Sequence, residues 1–209
     1  MMERFKFFMA FSAMVLLITL SSCNLDNDNG RRKVIGEGPV VKQIIPADTF
    51  SIFTHLSIGN VNITTGDSLE IYIKAQQNVL DEMGFEFKDG YFAWGLQDEV
   101  DIVDSDTILL TINMPNEIEA VQVGGVGTIN IRGDKQENLL LEVFGFADIN
   151  AYSMELDTCD VNILGHANYF IRVNDVIYGV ISGIGNIYYR GDPELKVALS
   201  GQGQIFDDN

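Results

Sequence analysis

A six-residue phrase occurs five times in the second half of the chain, at Gly124–Ile129, Phe144–Ile149, Leu164–Tyr169, Ser182–Ile187 and Ser200–Ile205. Its common form is x-G-x-[GA]-polar-apolar, and its last residue falls at 129, 149, 169, 187 and 205, in steps of 20, 20, 18 and 18 residues. A fixed step of this size marks a unit that stacks on copies of itself. The register extends upstream of each phrase. Eight residues before the closing position stand Val121, Leu141, Val161, Gly179 and Val197, and six before it stand Val123, Val143, Ile163, Ile181 and Leu199. Every other side chain there is apolar, which predicts a second strand in each repeat.

Two short strands per repeat, each lying on its equivalent in the next, predict an all-β chain folded as a parallel β-helix-like solenoid with 18–20-residue coils. Ladders of this kind are spaced ~4.8 Å apart, so five coils would rise about 20 Å. The glycines at Gly125, Gly145, Gly165, Gly183 and Gly201 would stand where the turn needs a positive φ or leaves no room for a Cβ. The first half holds a weaker copy, Leu56–Val61, and alternating runs at Leu69, Ile71, Ile73 and at Ile108, Leu110, Ile112, read as strands of earlier, less regular coils. Asn78 to Met83 is the only helix signal, enough for a turn or two. Three of the four prolines (Pro39, Pro46, Pro115) precede the five phrases, and no linker-like stretch divides the chain after residue 36.

The start of the chain carries Arg4 and Lys6, an apolar stretch from Phe7 to Leu20, and then Leu20-Ser21-Ser22-Cys23. It resembles a bacterial lipoprotein signal with its lipobox, too short for a membrane span. The expectation is a signal peptide over 1–22, an acylated Cys23 anchored by ~0.8 kcal/mol per buried CH₂, a flexible acidic leash over 23–35, and a domain over 36–209. The acidic residues just after Cys23 also resemble the surface-export signal of Bacteroidota lipoproteins, which implies an outer-membrane protein facing outward. Loss of Glu3, Arg4 and Lys6 with the signal takes the net charge from −17 to −18. A charge of that sign repels nucleic acid and anionic polymers across a Debye length of ~8 Å, so neither is expected as a partner. With Cys23 acylated, Cys159 has no partner for a disulfide.

The phrases, the tail Ile187-Tyr188-Tyr189-Arg190-Gly191-Asp192-Pro193 and Ser200-Gly201-Gln202-Gly203 resemble the repeat signature and closing motif of the putative auto-transporter adhesin, head GIN domain family. In the first half Gly59-Asn60-Val61, Gly66-Asp67, Asn78-Val79-Leu80, Lys88-Asp89-Gly90 and Asn113-Met114-Pro115 follow the same order. The resemblance spans about residues 36 to 206. It implies a parallel β-helix-like domain on secreted or lipid-anchored proteins, an adhesin-like role, and no catalytic residues to carry over. The chain departs from the family's SGSGD pattern at Gly124, Phe144 and Leu164, and at Ala147 and Ala167, which makes those turns bulkier.

The chemistry visible in the sequence is sparse. His55 and His166, the only histidines, lie on different coils without a second ligand at metal spacing. Cys159 aligns with Leu139, Ile177 and Leu195 and reads as a small core residue. Asp98, Glu99, Asp101, Asp104 and Asp106 form the densest acidic cluster, but without the ligand spacing of a calcium loop, and they read as a solvated edge loop. No metal or cofactor is expected, and no carboxylate pair stands out for glycoside chemistry.

One ladder is more distinctive. If each phrase closes inward, the outward residues one and three positions later are Asn130, Asn150, Phe170, Tyr188, Phe206 and Arg132, Tyr152, Arg172, Arg190, Asp208. The last three coils would then carry aromatics beside two stacked arginines, as contact surfaces and sugar platforms do. Phe170, Arg172, Tyr188, Arg190 and Phe206 are therefore the candidate ligand or oligomer surface, with burial under the first half of the domain as the third outcome. The sequence as a whole reads as a non-enzymatic, membrane-tethered binding or adhesion module for a glycan or protein ligand. The alternatives are a carbohydrate-active β-helix enzyme and a structural envelope protein that forms homo-oligomers.

Overall fold

The computed structural model describes residues 30–97, 100–105 and 107–209, and Arg32–Asn209 forms one compact unit. The expected signal peptide, Cys23 and most of the leash lie outside the described residues. No helix among those described is long and apolar enough to cross a membrane. The end of the expected leash, residues 32–35, is a strand: β1 (Arg32–Ile35) pairs in parallel with β8 (Val100–Asp104). Asp101 and Asp104 of the acidic cluster thus belong to a paired strand rather than to a loop, and Asp98, Glu99 and Asp106 lie outside the described residues.

All the other strands join one curled sheet of fifteen. In the first half these are β2 (Val40–Ile45), β3 (Ile52–Leu56), β4 (Asn60–Thr65), β5 (Glu70–Gln76), β6 (Met83–Lys88), β7 (Tyr91–Leu96) and β9 (Leu109–Met114), with a single-turn helix α1 (Gln77–Leu80) where the helix signal stood. The second half holds β10 (Ala120–Val123), β11 (Val126–Arg132), β12 (Gln136–Val143), β13 (Phe146–Ile163), β14 (His166–Ile181), β15 (Ile184–Arg190), β16 (Glu194–Leu199) and β17 (Ile205–Asp207).

In the second half every pairing is parallel, and its register is the one the phrases set. One ladder aligns Val121, Leu141, Val161, Gly179 and Val197. The other aligns Ile129, Ile149, Tyr169, Ile187 and Ile205. Both extend into the first half, where Phe53 and His55 lie beside Val121 and Val123, and Val61 lies beside Ile129. The expectation of further parallel pairing there holds for β3 beside β7 and β4 beside β9 but needs correction for the rest, because β5 is antiparallel to both β2 and β9, and β6 and β7 form an antiparallel hairpin. Leu69 to Ile73 alternate as any half-buried strand does, and alternation carries no information on strand direction.

The inward positions form one continuous core in which Trp94, Tyr169, Phe53 and Phe92 are the largest fully buried side chains. Burying a phenylalanine, or one of the many valines and isoleucines around them, contributes about 1.5–3 kcal/mol. Tyr169 replaces the isoleucine of neighbouring coils, and its hydroxyl donates to the Asn162 carbonyl at 2.9 Å and reaches the Leu141 carbonyl at 3.3 Å. Tyr169→Phe keeps the ring and removes those bonds, so an unfolding free energy lowered by about 1 kcal/mol in urea titration is expected.

None of the five phrase glycines takes a positive φ; they lack room instead. A Cβ on Gly145 would lie 2.2 Å from the Gly125 carbonyl oxygen, one on Gly183 2.1 Å from that of Gly165, and one on Gly201 2.1 Å from that of Gly183. The turns therefore stack backbone on backbone.

Candidate functional site

The aromatic residues stand where the outward register puts them, in line with Asn62, Asn130 and Asn150 of the preceding strands. Phe170 stacks on Tyr188 at 5.0 Å between ring centroids and 8° between planes, and Tyr188 on Phe206 at 5.0 Å and 15°. The spacing is that of the ladder itself, ~4.8 Å, so near-parallel rings on successive coils come face to face. Tyr152 closes the near end, edge-on to Phe170 at 5.8 Å and 74°. Each such contact is worth about 0.5–1.5 kcal/mol beyond burial. The stack is not covered by the first half of the domain: Phe170 and Tyr188 are half-buried and Phe206 is 38% exposed. Its rings cover one another, however, so both faces of Tyr188 are taken. An open face remains at Phe206, whose strand among the described residues pairs only with β15.

The second outward row departs from the expected column. Bulges in the β11–β13 and β13–β14 pairings set Arg132 beside Ser153 and Arg172 beside Glu155, so Tyr152 does not stand between the arginines. Arg172 and Arg190 are in register, but each has its own carboxylate. Arg172 pairs with Glu155 at 3.3 Å, and Glu155 also accepts from Asn174. Arg190 pairs with Asp208 at 2.9 Å, donates to its carbonyl at 3.1 Å, and lies 4.1 Å over the Tyr152 ring. The Tyr152 hydroxyl donates to the same carboxylate at 2.8 Å. The Tyr152 and Arg190 hydrogen bonds together hold the Asp208 carboxyl below its ordinary range. Exposed pairs of this kind contribute at most about 1 kcal/mol; their effect is to fix the arginine heads beside the rings.

Two further rows escaped the sequence reading although their signal lay in the phrases. The polar fifth residue builds a ladder, with Asn60 accepting from the Thr128 amide, Asp148 from the amide and side chain of Asn168, Asn168 from Asn186, and Asn186 from the Gln204 amide. It satisfies turn amides from one coil to the next. The variable third residue builds an exposed apolar line of Val126, Phe146, His166 and Ile184, in which His166 stacks on Phe146 at 5.9 Å and Phe146 is 63% exposed.

The remaining titratable candidates face inward. His55 is fully buried and stacked on Trp94 at 5.0 Å, with Nε2 3.3 Å from the Val126 carbonyl, and burial lowers its pKa to about 4. Cys159 is fully buried beside Leu139 and Ile177, and burial pushes its thiol up, away from the reactive thiolate. Among the described residues no three His, Cys, Asp or Glu side chains converge as metal ligands.

Stacked parallel strands with glycine turns, a polar ladder at the corner and aromatic residues on an outer face define the class: an all-β domain built on a curled sheet. Residues 120–193 match the sequence model of the putative auto-transporter adhesin, head GIN domain family, the family that the phrases resemble; the landmarks of the first half fall outside the matched range. The crystal structure of a putative adhesin from Bacteroides fragilis shares the fold, with a TM-score of 0.57 over 82% of this chain and 98% of its own, at 13% identity. Weaker likenesses are a putative lipid binding protein from Parabacteroides distasonis (TM-score 0.43, 14% identity, 84% of this chain and 100% of its own) and a putative adhesin from Parabacteroides merdae (TM-score 0.41, 15% identity, 84% and 99%). No curated protein matches the chain.

Proposed function

We propose that this chain is a non-catalytic binding and adhesion module of the cell envelope. In this reading residues 1–22 are removed, Cys23 is acylated and holds the protein to the outer membrane, and the segment before β1 lets the domain face outward. From β10 to β17 the repeats wind as a β-helix-like solenoid of 18–20-residue coils, a stiff support for its outer faces. The ligand is a protein or a glycan held at Phe170, Arg172, Tyr188, Arg190 and Phe206. The observation that carries the reading is the half-exposed ring stack with arginine heads fixed beside it, since exposed aromatics with arginine are enriched where proteins bind. A neighbour with the same fold being described as a putative adhesin agrees with it. The burial of both His55 and Cys159 favours binding over chemistry.

Because the rings cover one another, a ligand meets ring edges and arginine heads along the stack and a ring face at Phe206. An array of glycans and extracellular-matrix proteins probed with the parent chain and with a Tyr188→Ala/Phe206→Ala variant tests this. Specific binding by the parent, weakened roughly 30-fold in the variant, is expected for anchors of about 2 kcal/mol. Binding that survives the double substitution unchanged, or no binding by the parent, overturns it.

A further inference from the structure

The coils end bare. Leu195, Val197 and Leu199 of β16 occupy the register positions of Ile177, Gly179 and Ile181. Ile177 and Ile181 are fully buried, yet Leu195 is 43% and Leu199 55% exposed. They stand at core register positions that no further strand covers among the described residues. β16 pairs only with β14 and β17 only with β15, so the outer edge of each strand lacks a partner strand among the described residues. A straight edge with apolar side chains is a template for another strand, which proteins normally blunt or cover.

The sequence of β16 says what can cover it. Its inward residues read Leu195, Val197, Leu199, the same in either direction. Its outward residues are long then short: Glu194 and Lys196, ion-paired to each other at 2.7 Å, then Ala198 and Ser200. We propose that two copies of this chain join end to end, β16 antiparallel to β16 of the second copy about a two-fold axis at Val197. Leu195 then lies opposite Leu199 of the second copy, Lys196 opposite Ala198 and Glu194 opposite Ser200. Each exposed leucine is covered by a leucine, each long polar side chain meets a short one, and no like charges stand directly opposite. The two cores become one, and the sheet runs across the axis. An isologous contact of this kind closes on itself and forms a dimer rather than a fibre. One coil end is a small interface, and the net charge of −17 opposes association at low salt, so the dimer is weak and tightens as salt rises.

The inference goes beyond the ligand reading and rests on different residues. Its test is cross-linking of the full chain in detergent solution. In the antiparallel arrangement the two axial Cα atoms are about 4.5–5.5 Å apart, within disulfide range. Under mild oxidation Val197→Cys is expected to give at least tenfold more disulfide-linked dimer than Val103→Cys, an exposed control on β8. Adding Leu195→Asp and Leu199→Asp, both at exposed positions that leave the fold intact, should abolish the excess. Cross-linking no greater than the control, or cross-linking that survives the two aspartates, overturns the proposal. Neither outcome depends on the aromatic stack.

Discussion

Gly165→Val is expected to lower stability by about 4 kcal/mol, a large fraction of the roughly 5–15 kcal/mol that holds a typical domain folded. A Cβ at this position would lie 2.2 Å from the Gly145 carbonyl oxygen and 2.3 Å from that of Phe144. Both are backbone atoms of the preceding coil, whose amides and carbonyls are tied into the ladder: the Gly165 and Leu164 amides bond to the Val143 carbonyl, and the His166 amide to the Gly145 carbonyl. No side chain can swing away to make room. Relief requires the turns of two coils to part and the ladder bonds at the corner to break, well beyond the 1–3 kcal/mol of ordinary overpacking. Gly84→Ala on the hairpin edge is the control, because nothing lies within 4 Å of its Cβ, and its unfolding free energy should stay within about 0.5 kcal/mol of the parent. Urea unfolding followed by circular dichroism measures both. A Gly165→Val protein as stable as the parent would mean that the coils do not touch at the turns.

The second large effect is with pH. His55 is buried against Trp94, and burial lowers its pKa to about 4 from an ordinary 6.5. In the unfolded chain the imidazole takes up a proton as the pH falls through 6.5, whereas in the folded protein it does so only near 4. Protons therefore favour the unfolded state across that window. Above pH 6.5 both states are neutral and the residue contributes no slope; from there down to about pH 4 stability should fall by about 3 kcal/mol, at 1.36 kcal/mol per unit. Carboxylates titrate in the same range, and those of Glu142 and Asp160 are raised by burial, so the comparison must be internal. His55→Leu, which cannot titrate, should lose this part of the acid slope, and the difference between parent and variant from pH 7 to pH 4 is the measurement. Parallel curves would show that His55 charges in the folded state as readily as in the unfolded one.

The same buried imidazole shows how far the sequence could be read. Its place was legible: His55 lies six residues before Val61, as Val123 lies six before Ile129, and the two are neighbours in the sheet. Its lowered pKa was not legible, because that comes from burial between strands distant in sequence, among them the one that carries Trp94, 39 residues further on. The aromatic rows were legible in the same way, since the repeat step alone brings Phe170, Tyr188 and Phe206 into line. That their faces are spent on one another followed only from the orientation of the ring planes.

What the sequence by itself determined was the repeat: which residues of one coil lie on which of the next, which face inward, and where side chains must be absent. These follow from a step of 18 to 20 residues and an alternation of two, both local properties written into every coil. The tertiary structure alone decided the antiparallel strands β5 and β6, the strand at Arg32–Ile35, the carboxylates that hold Arg172 and Arg190, and the uncovered Leu195 and Leu199. Each of these depends on which strand lies next in space or on a bulge that shifts register by a few residues. Side-chain alternation is the same in a parallel and an antiparallel strand, and in a strand that is covered and one that is not.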